Sequence, residues 1–363
     1  MCSEHAAPIE EFVDDLRSGA YGLVDHFLLI RHGRVVVDEA FERDYEAISA
    51  SVRPEEKIGV NTRDPQYDYD NTDFHPYHAG TRLHSLQSIT KSLTSAALGI
   101  AVDEGLIPGV DVPVLPFFDG YEFDRSDPRK TAMSLHDLLT MRSGIDWQTE
   151  GGYQDITHST VGLEDSAAWI QYVLDRPMDA EPGTVFEYND GVTVLLGKIV
   201  RVATGQRVDQ WAQERLFAPL GIGSSFWKIT PDGEADSMGG LYLTAHDLAR
   251  IGYLFLREGM WRDQRVLSEE WVRDSVTRHV TDIAPEDEGV KTGYGYQWWL
   301  PEGQADEPMA YFAGGFGGQR LTVIPAYDLV IVFNGWDIRA DYGRPEQTFR
   351  SEVLPAALRA AAP

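Results

Sequence analysis

Along this chain the spacing of apolar residues changes twice, and each change marks a different kind of element. Near the start, Phe27-Leu28-Leu29-Ile30 and Val35-Val36-Val37 are β-rich runs on either side of His32-Gly33, which predicts a hairpin over 27–38. The stretch 44–82 is polar and aperiodic, with Asp64-Pro65, Asp68, Asp70, Asn71 and His75-Pro76. Connections of that length are usually functional or mobile. From 88 to 106, Ile89, Leu93, Ala96, Ala97, Leu98, Ile100, Ala101 and Val102 fall too densely for a surface stripe and predict a largely buried helix. Helical spacing recurs at 134–141, 166–174, 191–204 and 211–216, so the block 106–235 reads as mostly helical. Thr244 as an N-cap before Leu248, Ile251, Leu254 and Phe255 predicts a helix over 244–257. The period then moves toward strands at 293–300, 309–312, 320–325 and 329–334, with a helix-like stretch at 346–362.

Strands at both ends and helices between them predict one sheet assembled from distant parts of the chain. The expected class is α/β (α+β), an antiparallel sheet flanked by helices, with residues 1–105 and 236–363 forming the sheet domain and 106–235 a mostly helical one. With 363 residues, two domains or one large unit can bury a substantial core.

Charge narrows the range of partners. The chain has 31 basic and 58 acidic residues, a formal net charge of −27. Such a field repels phosphate backbones and anionic lipid, which argues against nucleic-acid and membrane partners. The acid excess, with many more Arg than Lys, reads first as ordinary solubility and second as salt adaptation. Cys2 is the single cysteine, so no internal disulfide can form. Residues 1–13 lack a basic and apolar leader pattern, and no apolar run reaches the length of a bilayer span, so the expected location is cytoplasmic.

Ser88-Ile89-Thr90-Lys91 opens the predicted buried helix. A spacing of three places both side chains on one face, the serine at the N-terminal end, where Lys91 can accept its proton if the amine is neutral. Burial and the positive end of the helix dipole both disfavour the ammonium, so a depressed Lys91 pKa is expected. Helix N-terminal amides also point where an oxyanion would form. The same spacing occurs at Ser225-Phe226-Trp227-Lys228, in loop-like sequence, and is read there as chance.

Several further segments occur in a telling order: Ala101-Val102-Asp103-Glu104-Gly105-Leu106-Ile107, Leu135-His136-Asp137-Leu138-Leu139-Thr140-Met141-Arg142-Ser143-Gly144, Pro182-Gly183-Thr184 through Tyr188 to Leu195-Leu196-Gly197, and Gly240-Leu241. Together with Ser88 and Lys91 they resemble the serine β-lactamase and penicillin-binding protein superfamily, most of all its class C β-lactamase-like esterases, amidases and D,D-peptidases. The resemblance covers most of 25–335 and implies that superfamily's fold, with an active site between the two domains. It implies that Tyr188, in Tyr188-Asn189-Asp190, is the tyrosine that shuttles protons with Lys91 and protonates the leaving group. Asp190 stands where β-lactamases usually carry asparagine. An ionised aspartate accepts but cannot donate a hydrogen bond, which weakens the case for β-lactam turnover.

A literal Lys291-Thr292-Gly293 matches the third superfamily motif, yet the order of segments assigns that place to Ala313-Gly314-Gly315. On this reading Gly315 supports the site and the amides of Ser88 and Phe316 form the oxyanion hole. Without the motif lysine, the cation for a β-lactam or peptide carboxylate is missing. The pattern is then similar to the 6-aminohexanoate-oligomer hydrolase and esterase branch. His84, Trp147, Tyr153 and Trp336 are candidate substrate-lining residues, with Trp298 a further member of an aromatic wall. No metal-ligand spacing, Walker loop or Gly-x-Ser-x-Gly elbow is present, so neither metal nor cofactor is expected. The expected activity is hydrolysis of a small-molecule ester or amide through an acyl-enzyme. The alternatives are a β-lactamase or D,D-peptidase acting on a lactam or peptide, and a non-catalytic binding protein on the same scaffold.

Overall fold

The computed structural model describes residues 7–58, 64–155, 157–283, 292–302, 309–339 and 344–360. The predicted hairpin forms from β1 (Val24–Arg31) and β2 (Arg34–Ala40). His32 and Gly33 between them both have positive φ, 51° and 67°, the combination a tight turn between twisted strands requires. Later strands complete an eight-stranded antiparallel sheet: β3 (Val280–Ile283), β4 (Thr292–Tyr294), β5 (Trp299–Pro301), β6 (Tyr311–Gly315), β7 (Gln319–Ile324) and β8 (Leu329–Gly335). Its order is β2-β1-β8-β7-β6-β5-β4-β3. The predicted joining of distant segments occurs at β1 and β8, where Phe27 lies opposite Phe333 and Leu29 opposite Ile331.

Alternation along these strands gives the sheet two apolar faces, and helices cover both. The helices that matter most are α1 (Ala7–Ser18), α2 (Ile89–Asp103), α3 (Leu135–Leu139), α4 (Ser159–Asp165), α5 (Trp169–Asp175), α6 (Asp190–Thr204) and α7 (Ala245–Leu256). On one face Phe27, Leu29, Ile331 and Phe333 pack with Phe12 of α1 and with Phe349 and Leu354 of the helical segment after 344. On the other, Leu28, Leu321, Val323, Val330 and Val332 share a large core with α2, α6 and α7. Every residue of α2 from Ile89 to Ala101 is buried, which accounts for its dense apolar pattern. Among the described residues, no helix is long and apolar enough to cross a membrane.

Four elements differ from the sequence-based expectation. Residues 293–300 are not one strand: β4 and β5 form a hairpin, and the chain turns where Gln297 adopts φ 67°. A Cβ on Gly295 would lie 2.0 Å from the Ser275 carbonyl, so backbone packing fixes the turn. The predicted helix at 166–174 starts later, at Trp169, and α4 precedes it separately. Helix α1 was not expected, although Ile9, Phe12, Val13 and Leu16 have helical spacing and are all buried. The helix Glu269–Ser275, capped by Ser268, was also missed. Among the described residues of the polar stretch 44–82 the helical turns are short, at Tyr45–Ser51, Pro54–Glu56 and Pro65–Tyr67.

Helix α2 approaches Trp271 so closely that a Cβ on Gly99 would lie 2.4 Å from the indole ring. Trp271 is itself buried and has little room to yield. Gly99→Val is therefore expected to lower unfolding free energy by about 1–3 kcal/mol, measured by urea denaturation. An unchanged midpoint would show that the contact between α2 and Trp271 relaxes freely.

Candidate active site

Ser88 is the N-cap of α2, directly after the short strand His84–Ser85. That strand pairs with Leu241–Leu243, which pairs in turn with Phe226–Trp227. Between strand and helix the chain turns at Gln87, which has φ 49°, a conformation uncommon for a side chain of this kind. The Gln87 amide donates to Ser85 Oγ at 2.8 Å and so ties the turn down. Ser88 is left half-buried, while Ile89, Thr90 and Lys91 behind it are buried.

Lys91 Nζ meets three acceptors: Ser88 Oγ at 2.9 Å, the Met238 carbonyl at 2.9 Å and Asp190 Oδ1 at 2.6 Å. Three acceptors match the three protons of an ammonium. Burial alone would push Lys91 down, but Asp190, helped by Tyr188, carries it up to about 12. The expectation of a depressed Lys91 is therefore corrected, and the cause is the carboxylate at the position where the superfamily usually carries an amide. Asp190 accepts on its other oxygen from Thr160 Oγ1 of α4, at 2.5 Å. Met238 is aimed by Asp236, whose Oδ1 accepts from the amides of Met238 and Gly239 at 3.1 and 3.0 Å.

Tyr188 precedes α6 and is within hydrogen-bonding reach of both Ser88 and Lys91. Its ring stacks on Trp299 at 5.5 Å, and Lys91 Nζ lies 5.1 Å from the ring centroid. Burial raises its phenol above the ordinary value, against the opposing effect of Lys91. On the opposite wall a Cβ on Gly315 would sit 2.4 Å from the Leu86 carbonyl, so β6 runs against the segment entering Ser88. Ala313 and Gly315 thus lie on the strand beside Ser88, and Phe316 follows immediately. The Phe316 ring packs with Tyr69 and Tyr153. Thr292 and Gly293 are on β4, two strands from β6, as their reading as a decoy requires; Lys291 lies outside the described residues.

The candidate lining residues divide. Tyr153 borders the cavity at Ser88. Trp336 stands one layer back, stacked on His75 at 4.8 Å and donating to the Tyr69 carbonyl. His84 does not line the cavity: it is buried, with Nε2 on Asp25 Oδ2 at 2.9 Å and Nδ1 on the Ser85 carbonyl at 2.9 Å. Trp147 and Trp298 are core residues, the first packed under Gly191 of α6 and the second against Phe255 of α7.

Residues overlooked in the sequence complete the walls. Tyr67, Tyr69, Gln87, Thr160, Glu164, Lys228 and Asp236 join Ser88, Lys91 and Asp190 around a cavity of about 20 Å³, space for roughly one water-sized group. Lys228 Nζ lies 4.6 Å from the Tyr67 ring centroid and 5.6 Å from that of Tyr69, and 3.4 Å from His75 Nε2. Burial pushes Lys228 down and Glu164 up, each partly offset by charges of opposite sign around it. The second Ser-x-x-Lys was thus half informative. Ser225 is engaged with Gln213, whereas Lys228 borders the cavity at Ser88.

A 6-aminohexanoate-dimer hydrolase of Paenarthrobacter ureafaciens is 30% identical over 269 residues, covering 69% of this chain and 65% of its own length, just under two thirds. Among solved structures, a putative 6-aminohexanoate-dimer hydrolase from Bacillus anthracis superposes with a TM-score of 0.70 at 21% identity, over 98% of this chain and 83% of that one. EstCE1, a hydrolase with promiscuous acyltransferase activity, gives a TM-score of 0.70 at 15% identity, over 96% and 98%. The Beta-lactamase family model matches residues 9–336, and the chain belongs to that family.

Proposed function

We propose that this protein is a serine hydrolase that cleaves ester or linear amide bonds through an acyl-enzyme on Ser88. The observation that carries the reading is the contact of one buried lysine with both Ser88 Oγ and Asp190, with Tyr188 alongside. Lys91, once its ammonium has released a proton, takes the proton of Ser88 while Oγ attacks the substrate carbonyl. The resulting oxyanion faces the amides of Ser88 and Phe316. Tyr188 gives its proton to the departing alcohol or amine and recovers one from Lys91. Water then enters by the same relay in reverse and releases the acid.

Two features favour esters and linear amides over β-lactams. Asp190 occupies an asparagine position with an acceptor, and Ala313 replaces the lysine that would meet a substrate carboxylate. The name of the Paenarthrobacter relative, a hydrolase of an aminohexanoate dimer, supports including linear amides.

Ser88→Ala is expected to reduce p-nitrophenyl butyrate hydrolysis at least about a thousandfold and to abolish the fluorophosphonate adduct seen by intact mass. Retained turnover would move the nucleophile elsewhere, and rapid nitrocefin turnover by the unmodified protein would favour a β-lactamase.

Asp190 also sets an expected pH dependence. Because it holds the Lys91 pKa above the ordinary lysine value, the free base is scarce at neutral pH and kcat/KM should climb into the alkaline range. Asp190→Asn removes the charge and leaves burial dominant, so the rising limb should move to lower pH by about one unit or more. A limb that stays in place would exclude Lys91 as the titrating base.

A further inference from the structure

Away from Ser88, on the side of the sheet that faces α7, three side chains from three elements converge. His26 comes from β1, Asp38 from β2, which is the sheet's edge strand, and His246 from the first turn of α7. His26 Nε2 lies 2.8 Å from Asp38 Oδ1, and His246 Nε2 lies 2.9 Å from Asp38 Oδ2. The ligand atoms of all three fall within 4.8 Å of one another. From the geometry we infer that this cluster is a binding site for a borderline divalent transition-metal ion, such as zinc, nickel or copper, joining the sheet edge to α7.

The donor set selects the ion. Two imidazole nitrogens and one carboxylate oxygen suit zinc, nickel or copper, whereas magnesium and calcium prefer oxygen shells. With metal–ligand bonds of about 2.1 Å, donors at tetrahedral angles stand about 3.4 Å apart, so both rings need to open by only about half an ångström from their present contacts with Asp38 to admit an ion. The ion takes the place of the Nε2 protons that face Asp38, each imidazole then carrying its proton on Nδ1. Water completes the coordination, because Asp38 and His246 are 43% and 49% exposed at their side chains.

The local charges are compatible with such an ion. Arg82 is the cation that acts against the site, and the chain's overall charge of −27 acts for it. No local spacing signals the cluster, since His26 and His246 lie 12 and 208 residues from Asp38.

The test uses tag-free protein carrying Cys2→Ser, stripped with EDTA, dialysed, and titrated with zinc and nickel chloride by calorimetry. One ion per chain is expected, with a zinc-dependent rise in melting temperature. His246→Ala and Asp38→Asn, both at exposed side chains, should each weaken binding at least tenfold and remove that rise, leaving ester hydrolysis unchanged. Copper loaded at one equivalent should show hyperfine coupling to two nitrogens by electron paramagnetic resonance. The inference is overturned if no ion binds at millimolar concentration, or if affinity survives both substitutions.

Discussion

The arrangement around Ser88 depends on where one buried ammonium can find acceptors. Lys91 is sealed from water by α2 and its neighbours, and a charge in that position persists only if its protons are all received. Ser88, the Met238 carbonyl and Asp190 receive them. Each acceptor comes from a different part of the chain, so satisfying one lysine draws three segments to one point. Asp236 shapes the turn that offers Met238, and Thr160 steadies Asp190 from α4. The same demand that organises the site also holds Lys91 in its charged form, because the carboxylate that justifies its burial stabilises its proton.

The scaffold supplies the precision this needs. Gln297, at the β4–β5 turn, donates from its amide to the carbonyls of Leu138 and Leu139, accepts from Thr193 of α6, and offers its own carbonyl to Ser92 of α2. One side chain and its backbone thus connect the sheet, α2 and the helix that begins at Asp190. The close approach of Gly315 to Leu86 does similar work without polar contact, fixing β6 at a spacing any side chain would break.

How much of this was legible in the sequence depends on whether a signal is local. Helix α2, α7 with its Thr244 cap, the hairpin with His32-Gly33 and the pairing of early with late strands were all readable from spacing. Ser88, Lys91 and Tyr188 were found because their motifs are short and ordered, and the structure brings them together. The direction of the Lys91 pKa was misread because helix dipole and burial are visible locally, whereas the distance to Asp190 exists only after folding. His84 was misjudged for a related reason: four residues from Ser88 suggested the entrance, but Asp25 holds its ring inward. Of the Lys228, Glu164 and Asp236 cluster only Lys228 stands in a motif, one whose loop-like surroundings gave it no weight. Its members meet because α4 and the loops around 67 and 236 fold against one cavity.

The pairing of β1 with β8 bears on how the molecule is made as well as how it stands. Residues 24–31 cannot find their partner until residues 329–335 have been synthesised, so the centre of the sheet closes last during translation. Until then β1 presents an unpaired apolar edge. Such contacts between distant segments slow folding and lengthen the exposure of aggregation-prone surface. They also divide the site in time: Ser88 and the cavity walls between residues 67 and 239 are synthesised first, and β6, which closes on Leu86 at Gly315, follows them.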